Sequence, residues 1–259
     1  MYQTVRYEKK GNVAIATIDR PEALNALNTQ AIADMEQVIA AVAADPEVRV
    51  LLVTGAGRAF VAGADVSQMY PMSLMEGRDI GQKGSRMMRN LEKLEIPTIA
   101  VVNGFALGGG TELAMSCDII LASEKAVFGQ PEVGLGITPG FSGTQRLPRR
   151  IGIGRAKEMI YTGRLVKAAE AKEIGLADFV YPAEELMDVA MKLAETISAQ
   201  APIAVRLSKV AVNRGLQMDI DSGIALENEL FGMCFATEDK KEGMGAFLEK
   251  RGEKNFRNK

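Results

Sequence analysis

Val101-Val102-Asn103-Gly104-Phe105-Ala106-Leu107-Gly108-Gly109-Gly110-Thr111-Glu112-Leu113-Ala114-Met115-Ser116-Cys117 is the stretch whose reading decides the fold. It closes an apolar, β-branched run, Thr98-Ile99-Ala100-Val101-Val102, which is a strong strand signal. The chain then turns at Asn103-Gly104, passes three glycines and reaches the helix formers Glu112-Leu113-Ala114-Met115. The order is strand, glycine-rich turn, helix. The glycines let a ligand approach the backbone closely. A helix start offers unpaired N–H groups and the positive end of the dipole. Together they suit negative charge, whether bound or developing in a reaction. Glu112 adds a carboxylate one turn inside the same helix. Two plainer readings compete. One is a tight strand-to-helix turn with no ligand. The other is a phosphate loop, since Gly104 and Gly109 have the spacing of GxxxxGK[ST] and Thr111 takes its last position. Gly110 stands where that motif needs lysine, which removes the nucleoside-triphosphate reading.

Composition narrows the chemistry. The chain has 259 residues, 47% of them hydrophobic, and a net charge of −2. That length can remove roughly three quarters of the unfolded surface from water, within one or two domains. The small charge gives no strong attraction to nucleic acid or an anionic membrane. No apolar run approaches the roughly 18 residues of a membrane span. MYQTVRYEKKG at the N-terminus has no apolar signal core, so a cytoplasmic chain is expected. Cys117 and Cys234 lie in apolar helical patterns without CxxC spacing and read as reduced thiols. There is no histidine. Ser-His-Asp and Cys-His catalysis are thereby excluded, and the usual metal ligand is missing. Acid–base work must fall to carboxylate, lysine, tyrosine or cysteine.

Working outward, Val5-Arg6-Tyr7 and Val13–Ile18 read as a hairpin around Gly11-Asn12. Arg20 to Leu27 is a loop. A helix is expected from Thr29 to Ala44, capped by Asn28, with Ile32, Met35, Val38, Ile39 and Val42 at helical spacing. Val50–Thr54 has the continuous apolar character of a buried parallel strand. It opens into a second glycine-rich loop, Gly55 to Asp65, that is not GxGxxG. A helix from about Ser73 to Leu94 turns Met87, Met88, Leu91 and Leu94 inward. A strand spans 118–122, and Ala126 to Glu132 leads into a glycine-rich loop over 133–143. Glu132 is a second loop carboxylate, which by itself reads as solvated. From Ile151 the pattern is mostly helical, apart from a short strand at Leu176–Val180. Helices are expected near 183–198, 202–214, 220–235 and 238–251. The organisation is an α/β core over 1–199 and a helical section over 200–259.

Five segments, in order, resemble one family: RPEALNAL (20–27), AFVAGADVSQM (59–69), NGFALGGGTELAMSCD (103–118), FGQPEVGLGITPG (128–140) and GTQRL (143–147). The chain is similar to the crotonase (enoyl-CoA hydratase/isomerase) superfamily, above all to its bacterial short-chain enoyl-CoA hydratases. The resemblance implies a crotonase-fold spiral of ββα turns with a C-terminal helical trimerisation region, trimers pairing into a hexamer. It implies an acyl-CoA substrate, no metal and no further cofactor. By motif position it implies that the Ala64 and Gly109 N–H groups hold the thioester oxygen. Ala23, Leu24, Ala62, Asp65, Val66 and Gly108 would line the CoA and substrate site. Phe231, Phe247 and Lys250 would complete it, in some members from a neighbouring subunit. Glu112 and Glu132 match the two catalytic glutamates of the hydratases. Ser142 replaces a frequent glycine, and Thr111 stands where cysteine is common.

The implied reaction is hydration of a short-chain trans-2-enoyl-CoA such as crotonyl-CoA to the 3-hydroxyacyl-CoA. Attack at C3 places negative charge on the thioester oxygen, where fixed N–H donors stabilise it without reorganisation. Water must lose a proton and C2 must gain one. Without histidine, carboxylates are the natural carriers, and two around one water raise at least one pKa. The residues alone show two candidates. The resemblance assigns water activation to Glu112 and protonation of C2 to Glu132. A Δ3-Δ2-enoyl-CoA isomerase needs one carboxylate only. A non-catalytic CoA or RNA binder would need neither.

Overall fold

The computed structural model describes residues 2–259. A hairpin of β1 (Val5–Lys10) and β2 (Val13–Ile18) opens the chain. Helix α1 (Thr29–Ala44) starts where Asn28 accepts the Ala31 N–H at 2.8 Å, as its position before the apolar periodicity predicts. Three similar turns follow. The first is β3 (Val50–Gly55), β4 (Ala59–Val61), the short α2 (Val66–Met69) and α3 (Leu74–Glu92). The second is β5 (Thr98–Val102), β6 (Phe105–Leu107) and α4 (Gly109–Ala114). The third is β7 (Ile119–Ser123), β8 (Val127–Gly129), a 3-10 turn (Pro131–Leu135), α5 (Gly143–Ile151) and α6 (Ile153–Thr162). Then come β9 (Leu165–Lys167), α7 (Ala168–Glu173), β10 (Phe179–Tyr181) and α8 (Leu186–Ser198).

Each turn gives its long strand to one sheet and its short strand to another. The six-stranded sheet runs β1-β2-β3-β5-β7-β10, and the four-stranded sheet β4-β6-β8-β9. The long strands pair in parallel, with Leu52 beside Ile99 and Ile99 beside Ile119. The chain thus climbs one strand spacing per turn, about 4.8 Å. This is the spiral of ββα turns that the resemblance implies. It also explains the unbroken apolar runs. Leu51 and Val53 face the main core, while Val50 and Leu52 face α8 through Leu186, Ala190 and Ala194. A strand buried on both faces has no polar side to alternate with.

The helical C-terminal section is α9 (Pro202–Gly215), α10 (Ile220–Cys234) and α11 (Glu238–Leu248). Lys209 ties α9 to the spiral through Asp118 Oδ2 and the Ile96 carbonyl, both at 2.8 Å. Helix α10 packs chiefly on α9. It leaves Ile220, Ile224 and Phe231 exposed, as α11 leaves Met244, Phe247 and Leu248. Cys117 is buried, Cys234 half-buried, and both are free. Among the described residues no helix is long and apolar enough to cross a membrane.

Four expectations need correction. The short strands β4 and β6 stand where the sequence predicts loops, and β9 where it predicts helix; three residues between glycines and turns carry no periodicity, and their pairing comes from the neighbouring turn of the spiral. The last strand lies at Phe179–Tyr181, not Leu176–Val180, because Leu176 and Ala177 N–H groups bond back to the Ala171 carbonyl and close α7. Helical structure begins at Gly143, before Ile151. Helix α11 ends at Leu248, short of Arg251, and Lys250 takes a left-handed φ of 57°.

Neighbouring turns touch where α4 begins. A β-carbon on Gly110 would stand 1.8 Å from the Val61 carbonyl oxygen of the turn below. Gly110→Ala must therefore push α4 off β4. We expect it to destabilise the fold by about 1–3 kcal/mol, measured by denaturant unfolding, and a wild-type midpoint would contradict this contact.

Candidate active site

The site forms where β6 gives way to α4. Gly108 turns the chain with a φ of 49°, and α4 starts at Gly109. Opposite lies the loop after β4. There Leu27 bridges Ala64: its N–H donates to the Gly63 carbonyl at 2.8 Å and its carbonyl accepts the Asp65 N–H at 2.9 Å. That pairing turns the Ala64 N–H away from Leu27. Among the described residues neither the Ala64 nor the Gly109 N–H has an acceptor within the chain. The two residues lie close together. A β-carbon on Gly109 would stand 3.6 Å from the Ala64 nitrogen and 3.2 Å from the Phe141 ring. Only glycine leaves that space open.

Glu112 sits one turn into α4 and is 1% exposed. Its Oε1 accepts the Phe141 N–H at 2.9 Å and the Gly143 N–H at 2.5 Å. Between them Ser142 adopts a left-handed φ of 81°. That twist aims both flanking N–H groups the same way and makes a small anion-binding nest. Glu112 Oε2 has no hydrogen-bond partner among the described residues. Glu132 lies on the 3-10 turn after β8 and is 9% exposed. Its Oε2 is buried without a partner, and its Oε1 lies 2.8 Å from where a β-carbon on Gly108 would stand.

Burial and the neighbouring Glu132 charge push the Glu112 carboxyl up to about 7, against the pull of the Gly143 and Phe141 N–H groups and of Arg146. Burial also raises Glu132. Glu112 thus comes to titrate where it can hold or release a proton near neutral pH, and Glu132 beside it keeps its proton more readily than a solvated glutamate does.

The structure therefore brings Ala64, Gly108, Gly109, Glu112 and Glu132 together. Ala23, Leu24, Ala62, Asp65 and Val66 line the adjoining loops, stitched by the Ala62 N–H to the Leu24 carbonyl at 3.0 Å. Arg20 holds Asp65 at 3.0 Å and donates to the Ala26 carbonyl. Phe231, Phe247 and Lys250 stand apart: they are exposed, and neither α10 nor α11 packs on α4. Two features escaped sequence reasoning. The Phe141–Gly143 nest depends on one left-handed residue, which no motif announces. Gln130, fully buried, donates from Nε2 to the Gly108 carbonyl at 3.0 Å and leaves Oε1 without a partner. Its only signal is its place two residues before Glu132. Among the described residues no three His, Cys, Asp or Glu side chains are grouped to hold a metal ion.

Comparison with known proteins extends this picture to the whole chain. The profile of the family described as enoyl-CoA hydratase/isomerase matches residues 8–259. The chain is 55% identical over 253 residues to the short-chain-enoyl-CoA hydratase of Clostridium acetobutylicum, covering 97% of each. It is 51% identical to the crotonyl-CoA hydratase of Syntrophomonas wolfei, covering 96% of each. The crystal structure of an enoyl-CoA hydratase from Bacillus anthracis superposes with a TM-score of 0.96 at 39% identity, covering 99% of this chain and 100% of that one. Matched from residue 8 to residue 259, and more than half identical to such relatives, the chain belongs to the enoyl-CoA hydratase/isomerase family.

Proposed function

We propose that this chain adds water to short-chain trans-2-enoyl-CoA, crotonyl-CoA in particular, giving the 3-hydroxyacyl-CoA, and runs the reverse dehydration. The observation that carries the reading is the convergence of two buried carboxyls, one gripped by a nest and one partnerless, beside two unpaired N–H groups. The relatives named above carry the same activity in their names.

The Ala64 and Gly109 N–H groups receive the thioester oxygen. As water attacks C3 the electrons move onto that oxygen, and the two donors strengthen their hold on it; one such donor is worth about 2.7–4 kcal/mol of barrier. Glu112, ionised, takes a proton from the water. Glu132, protonated, delivers one to C2. The loops carrying Ala23, Leu24, Ala62, Asp65 and Val66 cradle the CoA. The reaction needs only these groups and its CoA substrate. An isomerase would need Glu132 alone and would give the nest around Glu112 no purpose.

The C-terminal helices are read as an oligomerisation section over 200–259. Their exposed apolar residues, Ile220, Ile224, Phe231, Met244, Phe247 and Leu248, support burial against other subunits, and the assembly we propose is a trimer, with trimers pairing into a hexamer. In that assembly Phe231, Phe247 and Lys250 reach a neighbour's CoA site.

Two measurements test the site. The first is loss of the enoyl-thioester ultraviolet absorbance of crotonyl-CoA. Wild type should turn it over, and Glu112→Gln and Glu132→Gln should each lose about 10²–10⁴-fold in rate. The wild-type rate should fall as pH drops through about 7, where Glu112 takes up its proton. A fully active Glu132→Gln contradicts the assignment; wild type that binds the thioester without turnover contradicts the function.

The second is stability. The Glu112 carboxyl titrates at about 7 in the fold, above its ordinary 4.5. Between those values the unfolded chain ionises while the folded one stays protonated, so the fold loses stability as pH rises, and the loss levels off above about 7. Glutamine cannot ionise and can still accept both N–H groups. Glu112→Gln should therefore melt higher than wild type at pH 8 and nearly equal to it at pH 4. An equal or lower melting temperature at pH 8 would contradict the buried charge.

A further inference from the structure

The nest that grips Glu112 is itself held from outside. Arg146 lies in the first turn of α5, with its side chain 12% exposed. Its Nη1 donates to the Phe141 carbonyl at 3.3 Å, and its Nη2 pairs with Glu92 Oε2 on α3 at 3.1 Å. Glu92 Oε2 also takes Arg89 Nη1 at 2.5 Å, so the anchor is a three-residue ion network. Arg146 Nε is buried and has no partner. The residue whose carbonyl Arg146 holds is the one whose N–H reaches Glu112. One peptide further on, Ser142 is left-handed, and Gly143 supplies the second N–H.

We propose that Arg146 is a positioning residue: braced by Glu92, it fixes the Phe141 carbonyl and so keeps the Phe141 and Gly143 N–H groups converged on Glu112. It touches neither carboxyl by a hydrogen bond. It acts through the loop.

A non-glycine residue at positive φ is held there by its surroundings and does not rest there by preference. On its C-terminal side Ser142 is tied into α5, its carbonyl accepting the Gln145 and Arg146 N–H groups at 3.0 Å, and its side chain adds one tether, from Oγ to Ser85 Oγ on α3 at 3.1 Å. A hydroxyl pair of that length is a weak restraint beside a guanidinium held by a carboxylate. Released from Arg146, the loop can rotate the Phe141 and Gly143 N–H groups out of line. Glu112 then loses its orientation and the donors that favour its ionised form. It also loses a cation whose charge favours its ionised form. The charged groups facing Glu112 are Glu132 from the 3-10 turn, which raises its pKa, and Arg146 from α5, which lowers it; Glu92 and Arg89 stand behind Arg146. Arginine suits the position because its rigid planar fork reaches the two acceptors from separate nitrogens at fixed geometry, whereas lysine offers one ammonium on a flexible stem.

The inference rests on the proposed role of Glu112 as the group that activates water. The test is the pH dependence of crotonyl-CoA hydration by full-length wild type, Arg146→Met, Arg146→Lys and Glu92→Gln, with Glu112→Gln beside them. In Arg146→Met we expect kcat to fall about ten- to a hundredfold, the effect of misplacing a group by about an ångström. We expect KM to stay within about twofold, because Arg146 does not contact substrate. The acidic limb of the profile should move to higher pH by about half a pH unit or more. Arg146→Lys keeps the charge but not the fork, so kcat should fall with a smaller displacement of the limb. Glu92→Gln should lie between Arg146→Lys and wild type. If Arg146→Met does not fold, Arg146→Lys and Glu92→Gln carry the same comparison. A purely structural role lowers the melting temperature and leaves kcat and the limb of the folded enzyme in place; that result overturns the proposal. A collapsed Glu112→Gln with an unaffected Arg146 series removes the brace alone. A wild-type Glu112→Gln removes the role of Glu112 itself.

Discussion

The constraint on which the site depends is a carboxylate held where water barely reaches. Taking such an ion out of water costs several kcal/mol. The nest returns part of this, since hydrogen bonds to a charged group are worth about 1.5–3 kcal/mol each and Glu112 Oε1 receives two. The opposing terms are of similar size. Glu132 adds to the cost and Arg146 relieves it, and the carboxyl settles at about 7. A fully solvated glutamate would be too weak a base for water. One buried with no donors would stay protonated. The near balance suits a residue that must exchange a proton near neutral pH.

That balance is a product of the spiral. Glu112 is one turn into a helix whose start is pressed against the strand below, so its Cα has little freedom. The nest comes from the following turn of the chain, and the brace on the nest comes from α3 of the preceding one. The pair of N–H groups likewise joins two successive turns, through Ala64 and Gly109. No single turn holds a complete site. The chemistry appears where consecutive turns meet, at the corner between the two sheets, and glycine recurs there because backbones and ligand need the same few ångströms.

The long elements were legible in the sequence because they are stabilised along their own length. Helix α1 declares itself through Asn28 and the spacing from Ile32 to Val42, and β3 through the four consecutive apolar residues Val50 to Val53. The short strands were not, because Ala59–Val61 and Phe105–Leu107 are strands only by virtue of pairing with neighbouring turns of the spiral. The carboxylates were visible as residues, and the absence of histidine singled them out. Their arrangement was not visible. Nothing around Phe141, Ser142 and Gly143 states that two N–H groups will converge on a carboxylate thirty residues earlier. Gln130 on Gly108 and Arg146 on Glu92 act through contacts of that long-range kind, and their motifs mark where they stand without saying what they hold.

The central claim is a physical one, that the fold holds the Glu112 carboxyl at about 7. Its most direct test is a carbon-13 NMR titration of glutamate side-chain carboxyls, comparing wild type with Glu112→Gln. One wild-type resonance should titrate with a midpoint near 7, coupled to a second from Glu132, and be absent from the variant. If every glutamate carboxyl in the wild type has finished titrating by about pH 5.5, the balance described here does not exist.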